Sequence, residues 1–215
     1  MLQYCLLDKT VDSDAWHTKG SALHDQGKYD ESIVYYDEAI KLDPENSGPW
    51  NDKGSALDSL KKYKEAIACF DEAIKLSPEY SDAWNNKGFA LNSLEKPEEA
   101  ISCFDEAIKL SPEDSAPWSN KGISLDLLKR YDESISCYEN AIKLNPENSV
   151  YWYNKGISLY VLERYEESIL YYDTAIKLNP KLSGAWHNKG GSLEKLGRDG
   201  EAEQCFAKAR ELEDS

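Results

Sequence analysis

Trp84-Asn85-Asn86-Lys87-Gly88 is one copy of a phrase that recurs from end to end of the chain. Tryptophan stands at Trp16, Trp50, Trp84, Trp118, Trp152 and Trp186, each 34 residues after the one before (50 − 16 = 34). Three residues after each comes lysine (Lys19, Lys53, Lys87, Lys121, Lys155, Lys189), and glycine comes next (Gly20, Gly54, Gly88, Gly122, Gly156, Gly190). A period of this size is read before any other signal, because it marks a copied and stacked supersecondary repeat. A repeat of this kind buries its apolar face only against its neighbours, so chain length counts repeats instead of domains.

Six repeats follow: 13–46, 47–80, 81–114, 115–148, 149–182 and 183–215. Serine opens each one (Ser13, Ser47, Ser81, Ser115, Ser149, Ser183) and is expected to cap a helix through its hydroxyl. Trp16, Gly20 and Leu23 keep helical spacing on one face of that first helix. Glycine inside a helix costs about 1 kcal/mol against alanine, so its recurrence implies close approach of a second helix. Gly27-Lys28, Lys61-Lys62 and their equivalents mark a short break, and acidic pairs such as Asp30-Glu31 open the second helix at the positive end of its dipole. Ile33, Tyr36, Ala39 and Ile40 trace that helix's buried stripe, and Pro44, Pro78, Pro112, Pro146 and Pro180 stop it. Residues 1–12 fit only loosely and read as a degenerate helical cap or tail, with Leu2, Cys5 and Leu6 in phase with Tyr36, Ala39 and Ile40. In the sixth repeat Glu203 and Arg210 replace the packing isoleucines, the expected polar outer face of a terminal repeat.

A 34-residue helix-turn-helix carrying Trp50, Gly54, Leu57, Tyr63, Ala66, Phe70, Ala73 and Pro78 in this order resembles the tetratricopeptide repeat. The resemblance covers residues 13–213 and implies an all-α, right-handed superhelical solenoid of stacked antiparallel helix pairs, a single array over 13–215. One departure recurs: the family usually has leucine where this chain has Lys19 and its equivalents. The aliphatic stem is expected to pack while the ammonium reaches an acid on a second helix.

Composition narrows function. The formal net charge is −15, from 25 Lys+Arg against 40 Asp+Glu. That balance opposes non-specific nucleic-acid binding and docking on an anionic membrane surface. The five cysteines, odd in number and without a Cys-x-x-Cys, argue against disulfides and zinc and for a reducing, cytoplasmic setting. His17 and His24 are seven apart, too far for shared metal ligation. No nucleophile elbow, phosphate loop or dinucleotide fingerprint is present, so no enzyme, cofactor or metal is expected.

The family resemblance implies instead that the first helices line a concave groove. Carried onto this chain, its lining comprises Asn51, Asn85, Asn86, Phe89, Asn120, Ile123, Tyr153, Asn154, Ile157, Tyr160, His187 and Asn188. Asparagine offers a donor and an acceptor, so one per repeat can hold an extended peptide by its backbone. The lysine/arginine clamp by which co-chaperone members hold a C-terminal carboxylate is missing: those places carry Asp14, His17, Asn51, Asp52, Asp82 and Ser119, with Lys195 the one clear cation. Residues 13–46 carry 3 Lys+Arg and 8 Asp+Glu (−5), whereas 149–182 carry 4 and 4 (zero). The expected function is a non-enzymatic protein-interaction scaffold whose partner is an extended peptide or protein surface, basic towards one end and apolar towards the other. The alternative is a self-associating structural array using its end faces or convex helices, for which the row Tyr35, Cys69, Cys103, Cys137 and Tyr171 is the candidate surface.

Overall fold

A computed structural model describes residues 12–214. All regular structure among them is helical, and the chain divides into two compact units, Met1–Leu110 and Ser111–Ser215. The expected cap at 1–12 lies outside the described residues, save Asp12. The first unit holds α1 (Ser13–Asp25), α2 (Tyr29–Leu42), α3 (Ser47–Ser59), α4 (Tyr63–Leu76), α5 (Ser81–Ser93) and α6 (Pro97–Leu110). The second holds α7 (Ser115–Leu127), α8 (Tyr131–Leu144), α9 (Ser149–Val161), α10 (Tyr165–Leu178), α11 (Ser183–Lys195) and α12 (Asp199–Glu213). In each unit a helix packs on its sequence neighbours before and after, so antiparallel pairs stack side by side.

The recurring glycine sets the distance within a pair. A Cβ built on Gly54 would lie 2.6 Å from the Phe70 ring, and one on Gly122 would lie 2.6 Å from that of Tyr138. Phe70, Tyr138, Phe104 and Tyr172 are almost wholly buried over these glycines. Each such ring contributes about 2–3 kcal/mol by leaving water. Between pairs, Ile33 of α2 packs, as Trp50 does, against the buried cluster that holds Leu57 and Phe70. Ile169 of α10 packs likewise with Trp186, Leu193 and Cys205. Four of the tryptophans, Trp50, Trp84, Trp152 and Trp186, also fasten their helices to the turn before: the Trp84 indole donates to the Pro78 carbonyl at 3.0 Å and that of Trp152 to Pro146 at 2.8 Å.

The turn inside each pair puts one residue in the left-handed region. Glycine fills it at Gly27 and Gly197, but Lys61, Glu95, Lys129 and Glu163 hold φ near +60° (60, 59, 59 and 59°). The serines do not cap their helices. They are the first helical residues, and the cap is the residue before: Asp12 accepts from the Ala15 N–H at 2.9 Å, Asn46 from Gly48 at 3.1 Å, Asp114 from Ala116 at 2.9 Å and Asn148 from Val150 at 3.0 Å. Asx side chains reach the free N–H groups as well as serine does, and they stand in the extended conformation that a cap requires. Ser13 and Ser115 instead bond across to the Ala39 carbonyl and the Tyr151 hydroxyl, each at 3.0 Å.

In the row Tyr35, Cys69, Cys103, Cys137 and Tyr171 the three cysteines are buried and the two tyrosines half-buried, so little of it is open to a partner. Desolvation pushes the Cys69 and Cys103 thiols up to about 11. Tyr35 lies against Trp16, ring centroids 5.3 Å apart, and Tyr171 against Trp152 at 5.8 Å. Second-helix residues at this phase meet the neighbouring first helix, so the position belongs to packing. The recurring lysine behaves as read: Lys53, Lys87, Lys155 and Lys189 reach Asp37, Asp71, Glu139 and Asp173 on the preceding second helix at 2.5–2.7 Å. Lys155 is the most buried of these, 5% exposed, and also donates to the Tyr171 hydroxyl at 2.7 Å. Glu203 and Arg210 pair with each other at 2.7 Å on the exposed side of α12.

Candidate functional site: the faces of the first helices

In the first unit, α1, α3 and α5 meet along one face through polar contacts one repeat apart. His17 Nε2 lies 2.7 Å from an Asp52 carboxylate oxygen, and the Asn86 amide donates to the Asn51 carbonyl oxygen at 3.1 Å. Asn51 is 5% exposed and donates to Asp52 at 3.1 Å, so it lies beneath the face and supports the residues above it. Asn85 and Asn86 are half-buried, and Phe89 stands out at 49% exposure. Ser21, His24, Asp25, Tyr36, Asn51, Asp52, Ser55, Tyr80, Asp82 and Asn86 enclose a polar hollow of about 360 Å³. A smaller one of about 180 Å³ adjoins it, sharing His24, Ser55 and Asn86 and adding Asp58, Ser59, Phe70 and Phe89. Desolvation raises the Asp58 carboxyl above the usual carboxylate range and the Tyr80 phenol above its ordinary value.

In the second unit, α7, α9 and α11 carry a less polar face. Asn120, Asn154 and Ile157 are half-buried, and Ile123 is 37% exposed. Tyr153 accepts the Asn188 amide at 3.2 Å, and burial raises its phenol. Gly184 makes room for that ring, since a Cβ there would lie 2.8 Å from the Tyr153 hydroxyl. Tyr160 meets Tyr165 edge-on, centroids 5.4 Å apart, and the exposed His187 lies over Phe206 at 5.3 Å. Asp126, below this face, accepts from Tyr138 at 2.8 Å and from Ser158 at 2.8 and 3.0 Å.

In the first unit the structure brings Asn86 and Phe89 to the wall of one hollow, with Asn51 buried beneath Asn86 and not on the face where the sequence reading put it. In the second it joins Tyr153 to Asn188 and puts Tyr160 and His187 in the wall of one hollow. Sequence reasoning passed over Ser21 and Tyr80 as lining residues. Tyr80 had a signal: it replaces the capping Asx that four of the other repeats carry at that place. Among the described residues no group of His, Cys, Asp and Glu is placed to hold a metal ion, and no helix is long and apolar enough to cross a membrane.

Helix pairs of this length and packing, repeated with a tryptophan-glycine first helix, define a helical-repeat protein. Tetratricopeptide repeat models match residues 13–46, 49–80, 81–114, 115–148 and 149–182, and a second tetratricopeptide repeat model matches 183–215. The chain belongs to the tetratricopeptide repeat family, whose arrays are protein-interaction scaffolds.

Solved structures show the same fold. PilF of Pseudomonas aeruginosa is 20% identical with a TM-score of 0.80, over 92% of this chain and 88% of that one. MamA from Desulfovibrio magneticus RS-1 is 19% identical with a TM-score of 0.71, over 79% and 96%. YrrB, described as having an unusual peptide-binding site, is 24% identical with a TM-score of 0.66, over 83% and 92%. At these identities the likeness is one of fold. No curated protein matches the chain.

Proposed function

We propose that the chain is a non-enzymatic scaffold that binds an extended segment of a partner protein on the faces of its first helices. The observation that carries this reading is that α7, α9 and α11 hold both accessible apolar side chains (Ile123, Ile157, Tyr160) and half-buried amides at one position per repeat (Asn120, Asn154, Asn188). Apolar side chains supply affinity that is independent of hydrogen bonding, and amides serve the backbone of an extended chain in both directions. On the first unit the corresponding face is acidic, with Asp25, Asp52 and Asp82 around its hollow, and it suits the basic part of a partner. YrrB, a relative in fold, is described as binding peptide, which supports the same use here. The free cysteines Cys69, Cys103, Cys137 and Cys205 support a reducing, cytoplasmic setting. The acidic charge balance speaks against nucleic acid as the partner.

A display library of extended peptides tests the proposal. Tyr153→Ala, and Asn120→Ala combined with Asn154→Ala, are expected to weaken the selected peptides at least tenfold, about 1.4 kcal/mol each. Unchanged affinity in both variants removes these faces as the site. Sedimentation at two concentrations addresses self-association: a monomer at both is expected, and concentration-dependent growth without peptide would favour the assembly alternative.

A further inference from the structure

A carboxylate at one place in the repeat is served by the chain itself in the second unit and left unserved in the first. Asp126 of α7 takes hydroxyl donors from Tyr138 and Ser158, all within 3.0 Å. Asp58 occupies the same place on α3, two repeats earlier. The residues that correspond to Tyr138 and Ser158 are there Phe70 and Ala90, and neither has a hydroxyl. Asp58 Oδ1 is accordingly buried without a hydrogen-bond partner, and so is Nε2 of His24, at the same place one repeat before. Leaving such atoms unpaired in a folded chain costs about 1–3 kcal/mol each, more for a charge, so the arrangement calls for a donor from outside. Both residues line the cavity of about 180 Å³ that also has Ser55, Asn86 and Phe89 in its wall. The adjoining hollow adds Asp25, Asp52 and Asp82, and among the described residues no lysine or arginine lines either one.

We propose that this cavity is a subsite for an arginine side chain of the partner, its guanidinium donating to Asp58 and its stem lying on Phe89. The inference rests on the reading of the first-helix faces as a peptide groove. Neither hydroxyl that serves Asp126 has a counterpart at Asp58, and a guanidinium is the side-chain group that presents two parallel N–H bonds to one carboxylate. Its planar, weakly hydrated cation also stacks on an aromatic face, which the half-exposed Phe89 offers beside the cavity. The surrounding carboxylates favour a cation over a neutral donor of the same shape. Lysine brings the charge without the fork, and citrulline brings a similar shape without the charge.

The test uses the full chain and three labelled pools of extended nonapeptides, random except for a fixed central residue, followed by fluorescence anisotropy. The arginine pool is expected to bind at least tenfold more tightly than the citrulline pool, and more tightly than the lysine pool. Asp58→Asn should cut the arginine advantage to under about threefold. Phe70→Tyr with Ala90→Ser gives Asp58 the hydroxyls that Asp126 enjoys, and should abolish the preference for arginine over citrulline. Circular dichroism checks that each variant is folded; if the double variant is not, Asp58→Asn decides. Equal binding of the arginine and citrulline pools to the wild type overturns the subsite and leaves the groove standing. No binding by any pool overturns both.

Discussion

At Gly122 the fold depends on a hydrogen atom where every other residue has a carbon. An added Cβ would sit 2.6 Å from the Tyr138 ring, and that ring is buried with its hydroxyl held by Asp126 at 2.8 Å. Gly122→Ala is therefore expected to lower stability by about 1–3 kcal/mol in urea unfolding, against the helix-propensity gain of about 1 kcal/mol. Gly191 on α11 provides the contrast, since its added Cβ would meet Tyr160 only at 3.8 Å. Gly191→Ala should stabilise by about 0.5–1 kcal/mol, and equal losses at both positions would contradict the packing account. Asp58 gives a pH signature. Burial raises its carboxyl in the folded chain above the ordinary unfolded value, so the folded state holds that proton more readily. Ionised Asp58 therefore costs stability at neutral pH, and the cost is relieved as pH falls through the folded value. Asp58→Asn should raise the midpoint of unfolding at neutral pH, with an advantage that shrinks on acidification; a constant advantage would show that Asp58 is not the group responsible.

Elements begin and end here for local reasons that can be separated by substitution. Asn148 caps α9 through its side chain, while Ser149 is already inside the helix. Asn148→Ala is expected to cost about 1 kcal/mol and Ser149→Ala less than about 0.5 kcal/mol, measured side by side in denaturant. The reverse order would restore serine as the cap. The turn before α6 holds Glu95 at φ 59°, where a side chain is strained and glycine is not. Glu95→Gly should leave helix content unchanged and add about 0.5–1 kcal/mol, the left-handed penalty less the entropy that glycine loses. The helix pairs, their period and their buried stripe were all legible in the sequence, because Trp50, Gly54, Phe70 and Pro78 act on partners at fixed sequence distances. The cap was misplaced by one residue because Asx and serine are adjacent in four repeats and both are good caps. The candidate site was legible only as a list of positions. That Asn51 is buried under Asn86, or that Asp58 lacks the donors Asp126 has, depends on contacts 35, 12 and 32 residues apart across stacked helices.

For the molecule as a whole, charge and surface chemistry differ between the two units. The first carries an acidic hollow, and the second exposes the apolar Ile123 on a first helix. With a net charge of −15, binding of a basic segment should weaken as salt rises, while binding through Ile123, Ile157 and Tyr160 should not. The central claim is that first-helix faces, and not second-helix surfaces, receive the partner. Nuclear magnetic resonance mapping of a library-selected peptide on the isotope-labelled chain tests it most directly. The account predicts shifts at Phe89, Ile123, Asn154, Ile157 and Tyr160. Shifts confined to exposed second-helix residues such as Val34 and Leu170 would contradict it.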